Sequence, residues 1–225
     1  MKIFVIGGTG ILGSELKRID TDIICTGSEY DIYDFSNLRD KLDEVNPDII
    51  VNCCAIKSEN VDKNIIKSIN INIIGSSNIS KYCIENKKRL VYISTDYVYP
   101  GETGNYSEKD SLYPNNNYAW TKLSGEVPVR MVDNHLIIRT SFGKLFEHKV
   151  AYKNLFTSKD YVDIIAPMIL ESIKSEFIGI VNIGTQRKSI YEYAKKRSET
   201  IESTYLDKTK DFSLDINTYI KKIKK

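Results

Sequence analysis

Tyr118 and Lys122 stand four residues apart in this 225-residue chain, at the opening of a helical pattern. On a helix that spacing sets both side chains on one face. A free phenol titrates at about 10 and is a poor proton shuttle at neutral pH. An ammonium one turn away favours the phenolate and lowers that value. The spacing alone is a weak signal in a sequence with 15 tyrosines. A second feature is Ser94-Thr95-Asp96, which closes an apolar run at residues 90–94. A hydroxyl there can hydrogen-bond a substrate carbonyl oxygen and help polarise it. The competing explanation is a plain loop start whose side chains bond the backbone.

The third feature is a glycine turn, Gly7-Gly8-Thr9-Gly10-Ile11-Leu12-Gly13, set directly between an apolar run and a helical one. Gly7 permits a tight turn, Gly10 lets backbone approach a pyrophosphate, and Gly13 allows close packing of helix on sheet. The following helix offers unpaired N–H groups and a partial positive charge to the phosphates. Gly7, Thr9, Gly10, Ile11, Leu12 and Gly13 are therefore the candidates to hold a dinucleotide. A carboxylate for the ribose 2′-hydroxyl is expected at the end of the second strand. Here that strand ends Cys25-Thr26-Gly27-Ser28, with no acid and no arginine. Ser28 could donate to a 2′-phosphate. The sequence thus favours NADPH, with NADH as the alternative.

These residues need elements to hold them. Strands are expected at 2–6, 22–26, 48–52, 90–94, 135–139 and 178–183. Helices are expected at 11–19, 36–45 (capped by Ser36), 64–86, from Tyr118, at 160–175 and from Ser189. In the 64–86 helix, Ile65, Ile69, Ile73 and Ile79 can share a face. Asn46-Pro47 ends the second helix, and Pro128 kinks or ends the 118–132 pattern. Continuous apolar strands alternating with helices imply a parallel sheet covered on both faces. The fold class is α/β, a doubly wound parallel sheet of the dinucleotide-binding Rossmann type. Residues 1–141 form the dinucleotide-binding part. Residues 142–225 form a small substrate-side portion, with 178–183 returning to the sheet as part of one compact unit. No internal repeat is present.

The bulk numbers exclude several classes. With 32 basic and 30 acidic side chains, the net charge of +2 gives no footprint for nucleic acid. Hydrophobic residues at 41% suit a globular chain rather than a disordered one. No apolar stretch approaches the ~20 residues that span a bilayer, and the N-terminus lacks the pattern of a signal peptide. A cytoplasmic protein is expected, with no membrane partner. Cys25, Cys53, Cys54 and Cys83 lack metal-ligand spacing, so no metal site is expected, and they read as small buried hydrophobes in a reducing compartment.

Taken together, the stretches GGTGILG (7–13), DFSN (34–37), PDIIVN (47–52), STDYVYPG (94–101), YAWTKLSGE (118–126) and IRTS (138–141) resemble the extended short-chain dehydrogenase/reductases, and within them the dTDP-4-dehydrorhamnose reductase group. The resemblance covers about the first 142 residues. It implies a catalytic triad of Thr95, Tyr118 and Lys122, with Tyr118 and Lys122 also touching the cofactor. It implies that Asp34 and Phe35 contact the adenine, that Ala55, Ile56 and Lys57 line the cofactor, and that Thr95, Asp96 and Phe142 border the sugar. The implied reaction is NAD(P)H-dependent reduction of a 4-keto-6-deoxy sugar nucleotide in polysaccharide biosynthesis. An epimerase or epimerase/reductase on the same scaffold is the alternative, and a non-catalytic NADP-binding regulatory subunit is another. Position 142 is Phe where the group carries Trp, and the segment from 142 to 157 is short. The substrate lobe is thereby reduced, which implies weak substrate binding by one copy or a homodimer that covers the cleft.

Overall fold

The computed structural model describes residues 1–27 and 31–224. The chain opens with β1 (Ile3–Ile6), α1 (Ile11–Ile19), β2 (Ile24–Thr26), α2 (Phe35–Val45) and β3 (Ile49–Asn52). Next come α3 (Ser58–Val61), α4 (Ile65–Ser68), a wide helical segment with i→i+5 bonding (Ile69–Gly75), and α5 (Ser76–Glu85). β4 (Arg89–Thr95), a single 3₁₀ turn (Asp96–Val98), α6 (Asn117–Val129) and β5 (His135–Thr140) follow. The remainder comprises β6 (Phe142–Gly143), β7 (Val150–Tyr152), β8 (Leu155–Thr157), β9 (Asp160–Tyr161), α7 (Val162–Lys174), β10 (Gly179–Ile183), β11 (Lys188–Ser189), α8 (Ile190–Lys195), β12 (Glu202–Thr204), β13 (Lys210–Phe212) and α9 (Asn217–Lys222).

Six strands form one sheet in the order β2-β1-β3-β4-β5-β10. Every pairing in it is parallel. β1, β3 and β4 are buried throughout, which is why their sequences read as continuous apolar runs. Leu12, Leu16, Ile165, Ile169 and Ile173 cover one face, from α1 and α7. Leu38, Leu42, Ile79, Tyr82 and Val129 cover the other, from α2, α5 and α6. Beyond this sheet the segments after Thr140 make small pairings only, β11-β8-β13, β12-β7 and β6-β9.

Three local expectations are corrected. Asp34, not Ser36, caps α2, because the chain is still extended at Asp34 and its carboxylate accepts from Ser36 and Asn37 N–H groups. The strand β9 takes Asp160 and Tyr161, so α7 begins at Val162. The isoleucines of 64–86 do not share one inward face: Ile65 and Ile69 are 40% and 37% exposed, whereas Ile79 is fully buried. The wide segment shifts the helical phase between them. The buried face there is polar, carrying Ser68, Asn72 and Ser76. Asn72 accepts from the Ile56 N–H at 2.8 Å and donates to the Thr121 hydroxyl at 2.9 Å. Ser76 accepts from Asn52 at 3.2 Å. These bonds satisfy backbone that the close approach of helix and loop removes from water. Pro128 falls in the last turn of α6, which ends one residue later.

Asn72→Leu leaves the Ile56 N–H without its acceptor and should lose ~1–3 kcal/mol of stability. Ile69→Ser, on the outward face, should change it by less than ~0.5 kcal/mol. Urea unfolding of the two variants gives the ranking; the reverse order would restore an isoleucine core face.

Candidate active site

The glycine turn is built as its spacing requires. Gly7 has φ +86° and packs against the Cys53–Cys54 backbone, where an added Cβ would lie 2.9 Å from Cys54 N. A Cβ on Gly13 would lie 2.4 Å from the Gly7 carbonyl oxygen, so α1 sits directly on the turn. A Cβ on Gly10 meets nothing closer than the Gly7 carbonyl at 3.2 Å. Gly10 caps α1 without any side-chain hydrogen bond. Gly7 and Gly13 thus serve the fold, while Gly10 keeps the helix N-terminus open to a ligand.

A cleft of about 640 Å³ opens at the carboxyl ends of β1 and β3, lined by Gly7, Thr9, Gly10, Ala55 and Ile56. This is the point where strand order reverses, with β2 on one side of β1 and β3 on the other. Ile11 and Leu12 turn their side chains into the core, so they offer only backbone N–H groups. Lys57 is exposed and precedes α3, outside the lining. Asp34 and Phe35 also lie outside it. Asp34 is occupied as a helix cap, and the Phe35 ring is covered by Arg39 and Lys81 at 4.7 and 4.1 Å. Asp31, Ile32 and Tyr33 line the cleft in their place, with Asn64, Lys67 and Asn70 from the opposite wall. Ser28 lies outside the described residues. Cys53 and Cys54 line the cleft as free thiols, and burial pushes both thiols up.

The reactive groups meet at the end of β4. Asn116 caps α6 by accepting from Ala119 N–H at 2.8 Å, which places Tyr118 in the first turn. Tyr118 faces Thr95 and lies in the field of Asp96. Burial pushes its phenol well above the usual value, and Asp96 and Tyr97 push the same way. Burial rather than Lys122 sets the phenol, contrary to the expected acidification, and Tyr118 keeps its proton at neutral pH. Lys122 is itself buried, its Nζ 4.2 Å from the centroid of the Tyr92 ring. Burial pulls its ammonium down to about 8, against the pull of Cys54, Cys53 and Glu126. Asp96 is also buried, and burial pushes its carboxyl up to about 7, opposed by Lys159, Thr95 and Ser141. Phe142 is partly buried on the core cluster, just past Ser141.

Two groups escaped the sequence reading. One is Asn72, whose bonds tie the Ile56 loop to α6. The other is Lys159, whose ammonium faces Asp96 although the two are far apart in sequence. Glu126 and Arg139 stand in motif stretches but gained no role from spacing. Both are 1% exposed and meet at 2.8 Å beneath Lys122.

Sheet, turn and cleft define a doubly wound, Rossmann-type protein with a Thr-Tyr-Lys constellation at the carboxyl edge of its sheet. Residues 1–159 match the family model described as the RmlD substrate binding domain. The chain belongs to that family. A probable low-salt glycan biosynthesis reductase of Haloferax volcanii is 31% identical over 160 residues, covering 63% of this chain and 53% of that protein. The chain's match spans about half the length of the curated relatives. Among solved structures, a hypothetical dTDP-4-dehydrorhamnose reductase from Sulfolobus tokodaii superimposes with a TM-score of 0.87 at 27% identity, covering 98% of this chain and 94% of that one. The dTDP-4-dehydrorhamnose reductase of Bacillus anthracis, in complex with NADP, gives 0.86 at 25% identity, covering 98% and 91%. No helix among the described residues is long and apolar enough to cross a membrane.

The buried ammonium sets a testable cost. Lys122 holds its proton to about 8 in the fold, against 10.5 for a free lysine. Between those values the unfolded chain binds the extra proton, so stability rises with pH across that window. At pH 7 the fold carries the whole cost, roughly 3 kcal/mol at ~1.4 kcal/mol per tenfold change in proton affinity. Lys122→Met should therefore resist urea better than wild type at pH 7, with the gain shrinking towards pH 10.5. A destabilised variant at pH 7 would show that the ammonium is held by stronger partners than the structure gives it.

Proposed function

We propose that the chain is an NAD(P)H-dependent reductase of a 4-keto-6-deoxy sugar nucleotide, with Thr95, Tyr118 and Lys122 as its catalytic residues. The observation that supports this reading most is that Thr95 ends β4 while Tyr118 and Lys122 stand in the first turns of α6, which packs on β4, next to a cleft at the carboxyl ends of β1 and β3. The RmlD-type relatives and the NADP bound to the Bacillus anthracis enzyme support it. Residues 1–141 serve as the cofactor part and 142–225 as a small substrate-side portion. Its strand β10 pairs with β5, which supports reading the whole as one compact unit. The four unpaired cysteines suit a cytoplasmic setting.

The fit to a dinucleotide rests on the open Gly10 cap, the clear space above it and the absence of a carboxylate at Thr26 and Gly27. The α1 N–H groups and Gly10 would hold the pyrophosphate, Ala55 and Ile56 would line the chain beyond it, and Lys122 would reach the nicotinamide ribose. When bound, the nicotinamide supplies a hydride to the substrate's carbonyl carbon. Thr95 hydrogen-bonds the carbonyl oxygen and polarises it. Tyr118, protonated at neutral pH, gives its proton to the alkoxide that forms. Lys122 supplies positive charge that stabilises the resulting phenolate. Asp96 borders the sugar and accepts from its hydroxyl groups. NADPH is favoured over NADH.

Initial rates of NADPH oxidation against a panel of keto-sugar nucleotides test the reading. Turnover of a 4-keto-6-deoxy sugar nucleotide supports it. Isomerisation without net cofactor oxidation would make the chain an epimerase, and cofactor binding with no conversion of any substrate would make it a binding subunit. Gly10→Val should fold normally and lose NADPH binding by fluorescence titration, because its side chain fills the space the phosphates need. Unchanged affinity would remove the turn from the cofactor site. The ratio of kcat/KM for NADPH to that for NADH should be at least one; a strong NADH preference would contradict the reading of the β2 end.

A further inference from the structure

Lys159 reaches the reaction centre by a route unrelated to its place in the sequence. β6 and β9 pair in parallel, Phe142 opposite Asp160 and Gly143 opposite Tyr161. Lys159 therefore stands beside Ser141, each one residue before a paired position. Ser141 in turn stands beside Asp96, each one residue past the paired Thr140 and Thr95. The Lys159 side chain runs past Gly143, where a Cβ would lie 3.4 Å from its Cε and 3.6 Å from its Nζ. The same Cβ would lie 2.7 Å from the Tyr193 hydroxyl, which is buried and has no hydrogen-bond partner among the described residues. Nζ stands 5.4 Å from the centroid of the Tyr193 ring. Lys159 is only half-buried by exposed area, yet its head group lies inside this corner.

The groups facing Asp96 come from every element around it: Thr95 at the end of β4, Tyr97 in the 3₁₀ turn, Tyr118 on α6, Ser141 after β5, and Lys159 ahead of β9. Glu59 on α3 acts on Tyr118 and Lys159 in the same space. Ionised Asp96 is opposed by burial and has one cation in this set, Lys159. The other ammonium nearby, Lys122, lies against the Tyr92 ring and in the field of Glu126.

We propose that Lys159 is a positioning residue of the reaction centre, the countercharge that keeps the Asp96 carboxylate ionised and able to accept hydrogen bonds from the substrate's hydroxyl groups. The proposal rests on the reductase reading for its kinetic consequence, but not for the placement of the two charges. Through Lys159 the segment after Thr157 takes part in substrate recognition. Gly143 leaves room for the Tyr193 hydroxyl, while the Lys159 side chain passes its Cβ position at ordinary contact distance.

Carboxyl ¹³C NMR of aspartate-labelled protein, with the Asp96 signal assigned through Asp96→Asn, reads the pair without turnover. In Lys159→Met the Asp96 titration should move up by about 1 pH unit or more, as loss of a neighbouring opposite charge does. Lys159→Arg should return it to near the wild-type midpoint. Lys159→Gln takes the place of the Met variant if that one does not fold. An Asp96 titration that stays put in the neutral variants overturns the proposal. In kinetics with a keto-sugar nucleotide, the acid limb of kcat/KM should move to higher pH in Lys159→Met by the same interval and return in Lys159→Arg. A uniform fall at every pH would make Lys159 a direct substrate contact and also overturn it. If wild type turns over no keto-sugar nucleotide, the reductase reading fails while the NMR arm still decides the pair.

Discussion

Glu126 and Arg139 meet between α6 and β5 in a space with almost no access to water. Their carboxylate and guanidinium are joined by two bonds, Nη2 to Oε2 at 2.8 Å and Nε to Oε1 at 3.1 Å. Ser94 donates to the same carboxylate at 2.5 Å, and Arg139 donates to the Tyr99 hydroxyl at 3.0 Å. Tyr99 passes the network on to Asn182 of β10 at 3.1 Å. An isolated buried charge is strongly destabilising, on the order of 3–5 kcal/mol when one partner of such a pair is lost. α6 can therefore neither slide nor rotate on the sheet without stranding a charge. Lys122 is one turn before Glu126 and Tyr118 two turns before it. Fixing Glu126 against β4 and β5 thus fixes where the phenol meets Thr95.

The groups at that meeting point are held against their own preferences. Burial keeps Lys122 close to losing its proton and Asp96 close to gaining one. Each would be more comfortable in water, and the fold tolerates them because the core around the sheet is extensive. This division is common where chemistry needs charge in a dry place. Asn72 makes a quieter contribution. It spends both ends of its amide on the Ile56 loop and Thr121, so the wall of the cleft and α6 keep a fixed separation.

Much of this was readable from local patterns, and the limits have physical causes. Strand positions, the glycine turn and the Tyr118–Lys122 face depend on spacings of a few residues, which a sequence displays directly. The cap of α2 was misplaced because Asp34 and Ser36 are both good cap residues, and only the backbone conformation at Asp34 chooses between them. The isoleucine face failed because a wide helical segment breaks the period on which it was counted. Asp34 and Phe35, expected at the adenine, stand outside the cleft lining, one as a helix cap and the other under Arg39 and Lys81, while Asp31, Ile32 and Tyr33 just before them line it. The role of Lys159 depends on β6 and β9, two strands of two residues each. Such short strands have no periodicity to read, and their pairing brings together residues far apart in the chain.

The central claim is that this geometry makes Tyr118 the proton donor to a reduced carbonyl. Single-turnover oxidation of NADPH by wild type and Tyr118→Phe, with a reactive 4-keto-6-deoxy sugar nucleotide at saturation, tests it most directly. Removing one hydroxyl should leave NADPH affinity nearly unchanged and slow the chemical step by ~10²–10⁴-fold, the usual contribution of a general acid. Equal rates for the two proteins would mean that Tyr118 is only a packing residue and that the proton comes from elsewhere.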